Sequence, residues 1–127
     1  MAQLKILVCV TGQKHCERLI REGAELAEQL GGSMSVVHVA AQGNTFLGNP
    51  KEGEALEYLF RTADAFGAEM TVLRASDALD TLVAFARERE ADCVVVGSAP
   101  GRAGGAFAEQ LRLRLPQAEI RSVQAHA

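Results

Sequence analysis

Two short segments carry the residue types from which an anion-binding crevice can be built. They are Thr11-Gly12-Gln13-Lys14-His15 and Gly97-Ser98-Ala99-Pro100-Gly101-Arg102-Ala103-Gly104-Gly105. Glycines let a backbone approach a ligand closely and aim successive amides at it, and a helix starting after such a turn adds partial positive charge. Phosphate is the natural anion for that arrangement. Arg102 can clamp an oxyanion with its planar fork or simply solvate the loop, and Lys14 and His15 can face the same crevice. The candidate ligand contacts are therefore Thr11, Gly12, Lys14, Gly97, Ser98, Gly101, Arg102, Gly104 and Gly105. The second segment is neither G-x-x-x-x-G-K-[ST] nor a G-x-G-x-x-G placed after the first strand. A flexible strand-to-helix turn accounts for it equally well.

Covalent chemistry is harder to assemble. There is no G-x-S-x-G elbow, no H-E-x-x-H and no pair of carboxylates at a strand end, so no nucleophile, base and orienting group can be named. The acids Glu25, Glu28, Glu54, Glu57, Glu88 and Glu90 fall on helix faces, and Glu17 with Arg21 makes an i,i+4 pair. Three cysteines, Cys9, Cys16 and Cys93, form an odd set without metal-ligand spacing. Cys9 and Cys93 sit in apolar runs and read as reduced, structural thiols. Cys16, near a helix start beside Lys14 and His15, could have a lowered pKa, but it also fits an apolar stripe as a buried, inert thiol. His38 lies within an apolar strand and reads as a satisfied core or sheet-end histidine. No catalytic or metal-ligating residue is expected.

The elements that must position the two segments follow from periodicity. Leu4 to Val10, Met34 to Ala40, Ala68 to Arg74, Asp92 to Gly97 and Glu119 to Gln124 read as strands. The first and fourth are nearly all apolar, as a parallel strand covered on both faces requires. Helices lie between them, with apolar residues three and four apart. The first carries Cys16, Leu19, Ile20, Gly23, Ala27 and Leu30 and is closed by Gly31-Gly32. The second carries Leu56, Leu59, Phe60, Ala63 and Phe66 and is closed by Gly67. A third carries Leu79, Leu82, Val83 and Ala86, capped by Ser76 or Asp77. A fourth, near Phe107 and Leu111, stops before Pro116, although Leu111 to Leu115 also alternates like a strand. This order implies right-handed crossovers and an α/β fold: a three-layer, doubly wound five-stranded parallel sheet. In such sheets ligands bind outside the carboxyl ends of the strands, where strand order reverses, and that rule selects the two glycine-bearing segments. The stretch 41–53, with Phe46 and Leu47, reads either as a flap or partner pad or as a mobile connection.

Length and charge narrow the function further. The chain has 127 residues, 48% of them hydrophobic, which suits a single domain over residues 1–127. A net charge of -3 with scattered basic residues gives no footprint for nucleic acid. No apolar run is long enough to span a bilayer and no signal-peptide pattern opens the chain, so the expectation is a cytoplasmic protein without membrane insertion.

Ile6-Leu7-Val8-Cys9-Val10-Thr11-Gly12, the His38-Val39 strand end and Ala91-Asp92-Cys93-Val94-Val95-Val96-Gly97-Ser98 resemble the universal stress protein superfamily. The resemblance covers essentially the whole chain. The first segment, through Arg18-Leu19-Ile20-Arg21, looks most like the stress-protein-like domain of the sensor histidine kinases of bacterial potassium uptake. The resemblance implies sheet order 3-2-1-4-5 and a homodimer through the last strand. It also implies, as in many members, ATP or another adenine nucleotide between strands one and four. Thr11 stands where nucleotide-binding members carry Asp, and Gly105-Ala106 stands at their Gly-Ser position; both departures weaken the ATP reading and leave a smaller anion, a different nucleotide or no ligand at all. The last strand, Glu119 to Gln124, alternates where relatives are aliphatic. The expected function is a non-catalytic signalling or ligand-binding module that answers to a signalling partner. A weak ATPase on the same fold, or an interaction module without any small ligand, are the alternatives.

Overall fold

The chain alternates strand and helix throughout. A computed structural model describes residues 4–10, 16–41, 52–98 and 105–124. The elements run β1 (Lys5–Cys9), α1 (Cys16–Leu30), β2 (Ser33–Ala41), α2 (Glu52–Ala65), β3 (Glu69–Ala75), α3 (Ala78–Glu88), β4 (Cys93–Ser98), α4 (Gly105–Arg114) and β5 (Glu119–Gln124). All pairings are parallel, and the sheet order is β3-β2-β1-β4-β5, the order the resemblance implied.

Side chains alternate across the sheet and so divide the core in two. On one face Ile6, Val8, Val10, Val36, Cys93 and Val95 pack under α1 and α2. On the other, Leu7, Cys9, Val37, Val94, Val96 and Ile120 pack under α3 and α4. β1 and β4 are therefore buried on both sides, and each buried Leu, Ile or Val contributes about 1.5–3 kcal/mol. Gly23 lets α1 lie close on β1, since a Cβ there would stand 2.4 Å from a Val8 methyl.

The helix ends follow local rules. Asp77 caps α3 by accepting from the Asp80 amide at 3.0 Å, which settles the choice between Ser76 and Asp77. Three helices end in one hydrogen-bonded form. The amides of Gly32, Ala68 and Ala91 donate to the carbonyls of Ala27, Ala63 and Ala86 at 2.8, 2.8 and 2.9 Å. Each turn puts one residue at positive φ: Gly31 at 68°, Gly67 at 73° and Glu90 at 54°. That is the left-handed helix stop favoured by glycine, and Glu90 occupies it with a side chain.

α4 is helical, so the alternation of Leu111, Leu113 and Leu115 does not mark a strand: Leu111 and Leu115 are buried and Leu113 is 79% exposed. The apolar stripes were drawn too wide elsewhere. Leu30, Phe60 and Phe66 are all exposed, and Phe66 lies beyond the end of α2.

Glycine relieves left-handed backbone strain. Glu90→Gly is therefore expected to stabilise the fold by about 0.5–1 kcal/mol, and Gly67→Ala to cost about 1 kcal/mol. Denaturant unfolding of the two variants checks the opposite signs.

Candidate functional site

The sheet has one switch point. β1 leads through α1 to β2 on one side, while β4 joins β1 from the other. The registers Cys9↔Val37 and Cys9↔Val96 set the end of β1 beside the carboxyl-terminal halves of β2 and β4, which run on to Ala41 and Ser98. Because α1 follows β1 and α4 follows β4, the amino ends of both helices open toward the same end of the sheet. Their unsatisfied amides supply partial positive charge there.

Three of the nine sequence-selected contacts fall within the described residues. Gly97 and Ser98 close β4, in register with Val123 and Gln124 of β5, and Gly105 opens α4. Thr11, Gly12, Lys14, Gly101, Arg102 and Gly104 lie outside the described residues, as do His15, Phe46 and Leu47. Gly97 has a packing reason for lacking a side chain. A Cβ there would stand 3.1 Å from Leu19 Cδ1, so glycine lets the first turns of α1 close over the end of β4.

Two features are legible in sequence only in part, their partners being tertiary. His38, expected as a satisfied core or sheet-end histidine, is the one buried polar or charged side chain among the described residues, 2% exposed. Its Nδ1 lies 2.7 Å from the carbonyl oxygen of Val10. A carbonyl can only accept, so Nδ1 carries the proton and donates. The second feature ties α1 to α2 near the start of α1. The Tyr58 hydroxyl donates to Glu17 Oε2 at 2.8 Å, and Arg21 Nη2 donates to Oε1 at 3.0 Å. The Glu17–Arg21 pair was legible as i,i+4 spacing; the tyrosine required the tertiary fold.

The thiols are inert where they are described. Cys9 and Cys93 are free and buried. Burial pushes the Cys9 thiol up to about 12. Burial, and then the charge of Glu119, raises the Cys93 thiol as well. Among the described residues no group of three or more His, Cys, Asp or Glu could hold a metal ion. Grooves open elsewhere. One of about 570 Å³ lies at the amino ends of β4 and β5, between Arg87, Glu90, Asp92, Arg114 and Pro116. Another, of about 240 Å³, runs between Glu22, Glu25 and Gln29 of α1 and Arg121 and Ser122 of β5.

An open, doubly wound parallel sheet with a single switch point and two helix amino ends over it defines a class of α/β domain whose binding end is fixed by topology. The chain belongs to the universal stress protein family, whose family model matches residues 4–111. It is 32% identical over 98 residues to sensor protein KdpD of Mycobacterium tuberculosis (strain H37Rv), a match covering 76% of this chain and 11% of that protein. It thus spans about a tenth of the curated relative's length. Among solved structures it is similar to a universal stress protein from Archaeoglobus fulgidus, with TM-score 0.66 and 25% identity over 98% of this chain and 94% of that one. A universal stress protein from Archaeoglobus fulgidus in complex with dAMP matches with TM-score 0.60 and 23% identity, over 98% of both chains.

Ionisation of Cys9 gives a pH signature. Burial moves the thiol from its ordinary value of 9.0 up to about 12 in the folded chain. Between those values the folded state holds the extra proton, so the stability due to protonated Cys9 is intact below pH 9 and falls as pH rises toward 12. The slope due to Cys9 is about 1.4 kcal/mol per pH unit, and Cys9→Ala is expected to remove that contribution while leaving the one from Cys93. Alkylation with peptide mapping should label Cys9 only in denaturant.

Proposed function

We propose that this chain is a non-catalytic ligand-binding and signalling module that holds an adenine nucleotide, or another phosphate-bearing ligand, at the carboxyl ends of β1 and β4. The observation that carries this reading is the switch point, where β1 ends at Cys9 in register with Val96 of β4 and the chain passes from these two strands to the amino ends of α1 and α4. Thr11, Gly12 and Lys14 from the first turn, and Gly97, Ser98, Gly101, Arg102, Gly104 and Gly105 from the second, would meet the ligand. Amides contribute the larger share of anion contacts, with Lys14 and Arg102 as the cationic complements. The dAMP complex of a relative that shares the fold supports an adenine nucleotide as the first compound to try. The thiols described within the strands are poor nucleophiles because burial keeps them protonated, which favours binding over group transfer.

A thermal-shift series with ATP, ADP, AMP and cyclic dinucleotides tests the reading. A ligand at 100 times its dissociation constant adds about 2.7 kcal/mol, a midpoint rise on the order of 10 °C for a domain of this size. Arg102→Ala is expected to reduce the rise. A flat response to every compound would remove the small-ligand reading and leave the interaction module.

The interaction reading has its own observation. β5 is a sheet edge, and Glu119 and Arg121 are paired on its exposed face toward α1. The Glu119 amide bonds inward to Asp92, so by strand alternation Ile120, Ser122 and Gln124 turn their backbone groups outward. A homodimer formed by antiparallel pairing about Ile120 would set Glu119 opposite the partner's Arg121. Arg112, whose Nη2 donates to the Ile120 carbonyl at 3.3 Å, would then share that carbonyl with the partner strand. Arg121→Glu and Glu119→Arg are each expected to lose the dimer through like-charge apposition. Mixed in equal amounts, the two variants should regain it as a heterodimer, measured by sedimentation velocity.

A further inference from the structure

We propose that His38 is a positioning residue that fixes the end of β1 at Val10, the last described residue before the candidate ligand segment Thr11-Gly12. The argument starts from the ladder. The register between β1 and β2 stops at Cys9↔Val37, with a last bond from the Val10 amide to the Val37 carbonyl at 2.9 Å. Beyond it the Val10 carbonyl still needs a donor, because Val10 is fully buried and a buried carbonyl without a partner is costly. The imidazole of His38 supplies that donor through Nδ1 at 2.7 Å. The bond crosses from β2 to β1 on the face shared with Val36 and Val8, so it is shielded from water by the α1–α2 core.

The consequence concerns where the ladder stops. A strand that continued its ladder would run on beside β2, whereas β1 ends one residue short of Val10 while β2 extends to Ala41. His38 satisfies the last buried carbonyl of this stretch with a side chain, in the place a β2 backbone amide would take in a continued ladder. Apart from this placement the assignment rests on the ligand-binding reading above, and the test separates the two. Asparagine is the informative replacement, because its Nδ2 stands the same number of bonds from the backbone as the imidazole Nδ1.

Hydrogen exchange on the full chain without ligand is the primary measurement. His38→Leu should speed exchange of the Val10 amide and of the first amides of α1 by about tenfold relative to Val94 and Val95 in β4. His38→Asn should restore most of that protection. Uniform acceleration across the sheet, no acceleration at Val10, or an asparagine variant that behaves like leucine would each overturn the assignment. Should the leucine variant fail to fold, the wild-type chain labelled with 15N at histidine decides the matter: His38 must show a protonated, exchange-protected Nδ1, and a bare Nδ1 refutes it. With ATP as probe, His38→Leu should weaken binding about tenfold and His38→Asn far less. Absence of ATP binding by the wild type would count against the nucleotide reading while the exchange result stood.

Discussion

Burial of β1 and β4 on both faces is the constraint from which the rest follows. A strand with helices above and below meets no water through its length, so neither face tolerates an unpaired polar group. Ile6, Leu7, Val8, Cys9 and Val10, like Cys93 to Val96, are accordingly apolar without alternation. Their backbone groups are satisfied within the sheet, by β2 and β4 beside β1 and by β1 and β5 beside β4. Chemistry can begin only where these strands stop. The ladder ends at Cys9 and at Ser98, and each strand is followed by a segment rich in glycine and polar residues. The place of the candidate site is thus a consequence of the core.

That logic explains why most of the fold was legible. Uninterrupted β-branched runs mark the two central strands, and the three-four spacing of Leu19, Ile20 and Ala27 marks α1. What periodicity could not resolve was how far each helix is covered. Phe60 fits the stripe of α2 by spacing, yet α2 packs on β3, an edge strand that is itself only partly buried. Among the described residues no further layer covers the phenylalanine. The same limit applies to Leu30 at the last turn of α1. Gly31 and Gly67 announce their helix stops by residue type, whereas Glu90 adopts the same φ without any composition signal. Arg89 stacks 4.9 Å over the Phe85 ring, and Lys5 lies 4.0 Å from the Glu90 carboxylate.

The place of the candidate turns in the chain was legible for the same reason. Gly97 and Ser98 at the end of β4, and Gly105 at the start of α4, occupy the strand-to-helix passage that their types suggested. Gly97 proved to answer a packing demand from Leu19 as well as any ligand demand. The His38 bond could not be read from sequence, because it depends on the register that sets His38 across from the end of β1. A histidine in an apolar run signals only that some partner exists; which carbonyl it meets is a tertiary fact.

The two ends of the sheet differ in what their charges are free to do. At the amino end the larger groove has the volume for a small ligand, but its polar groups already hold one another. Arg87 donates to the Arg114 carbonyl at 2.9 Å, Arg114 pairs with Asp80, and Asp92 accepts from the Lys5 amide at 2.7 Å. Arg89 pairs with Glu69 at 3.2 Å nearby. The last carbonyls of α3 and α4 face this end, so its partial charge is negative and an anion would have to displace the guanidinium contacts before it could bind. Exposed ion pairs add little stability individually. Here they tie α3, α4 and the strand starts together at the end where the helices terminate. At the carboxyl end the helix dipoles have the opposite sign, and the one acid in the first turn of α1, Glu17, is already engaged by Arg21 and Tyr58. An anionic ligand would therefore meet helix amides at that end without first breaking the contacts that hold the amino end together.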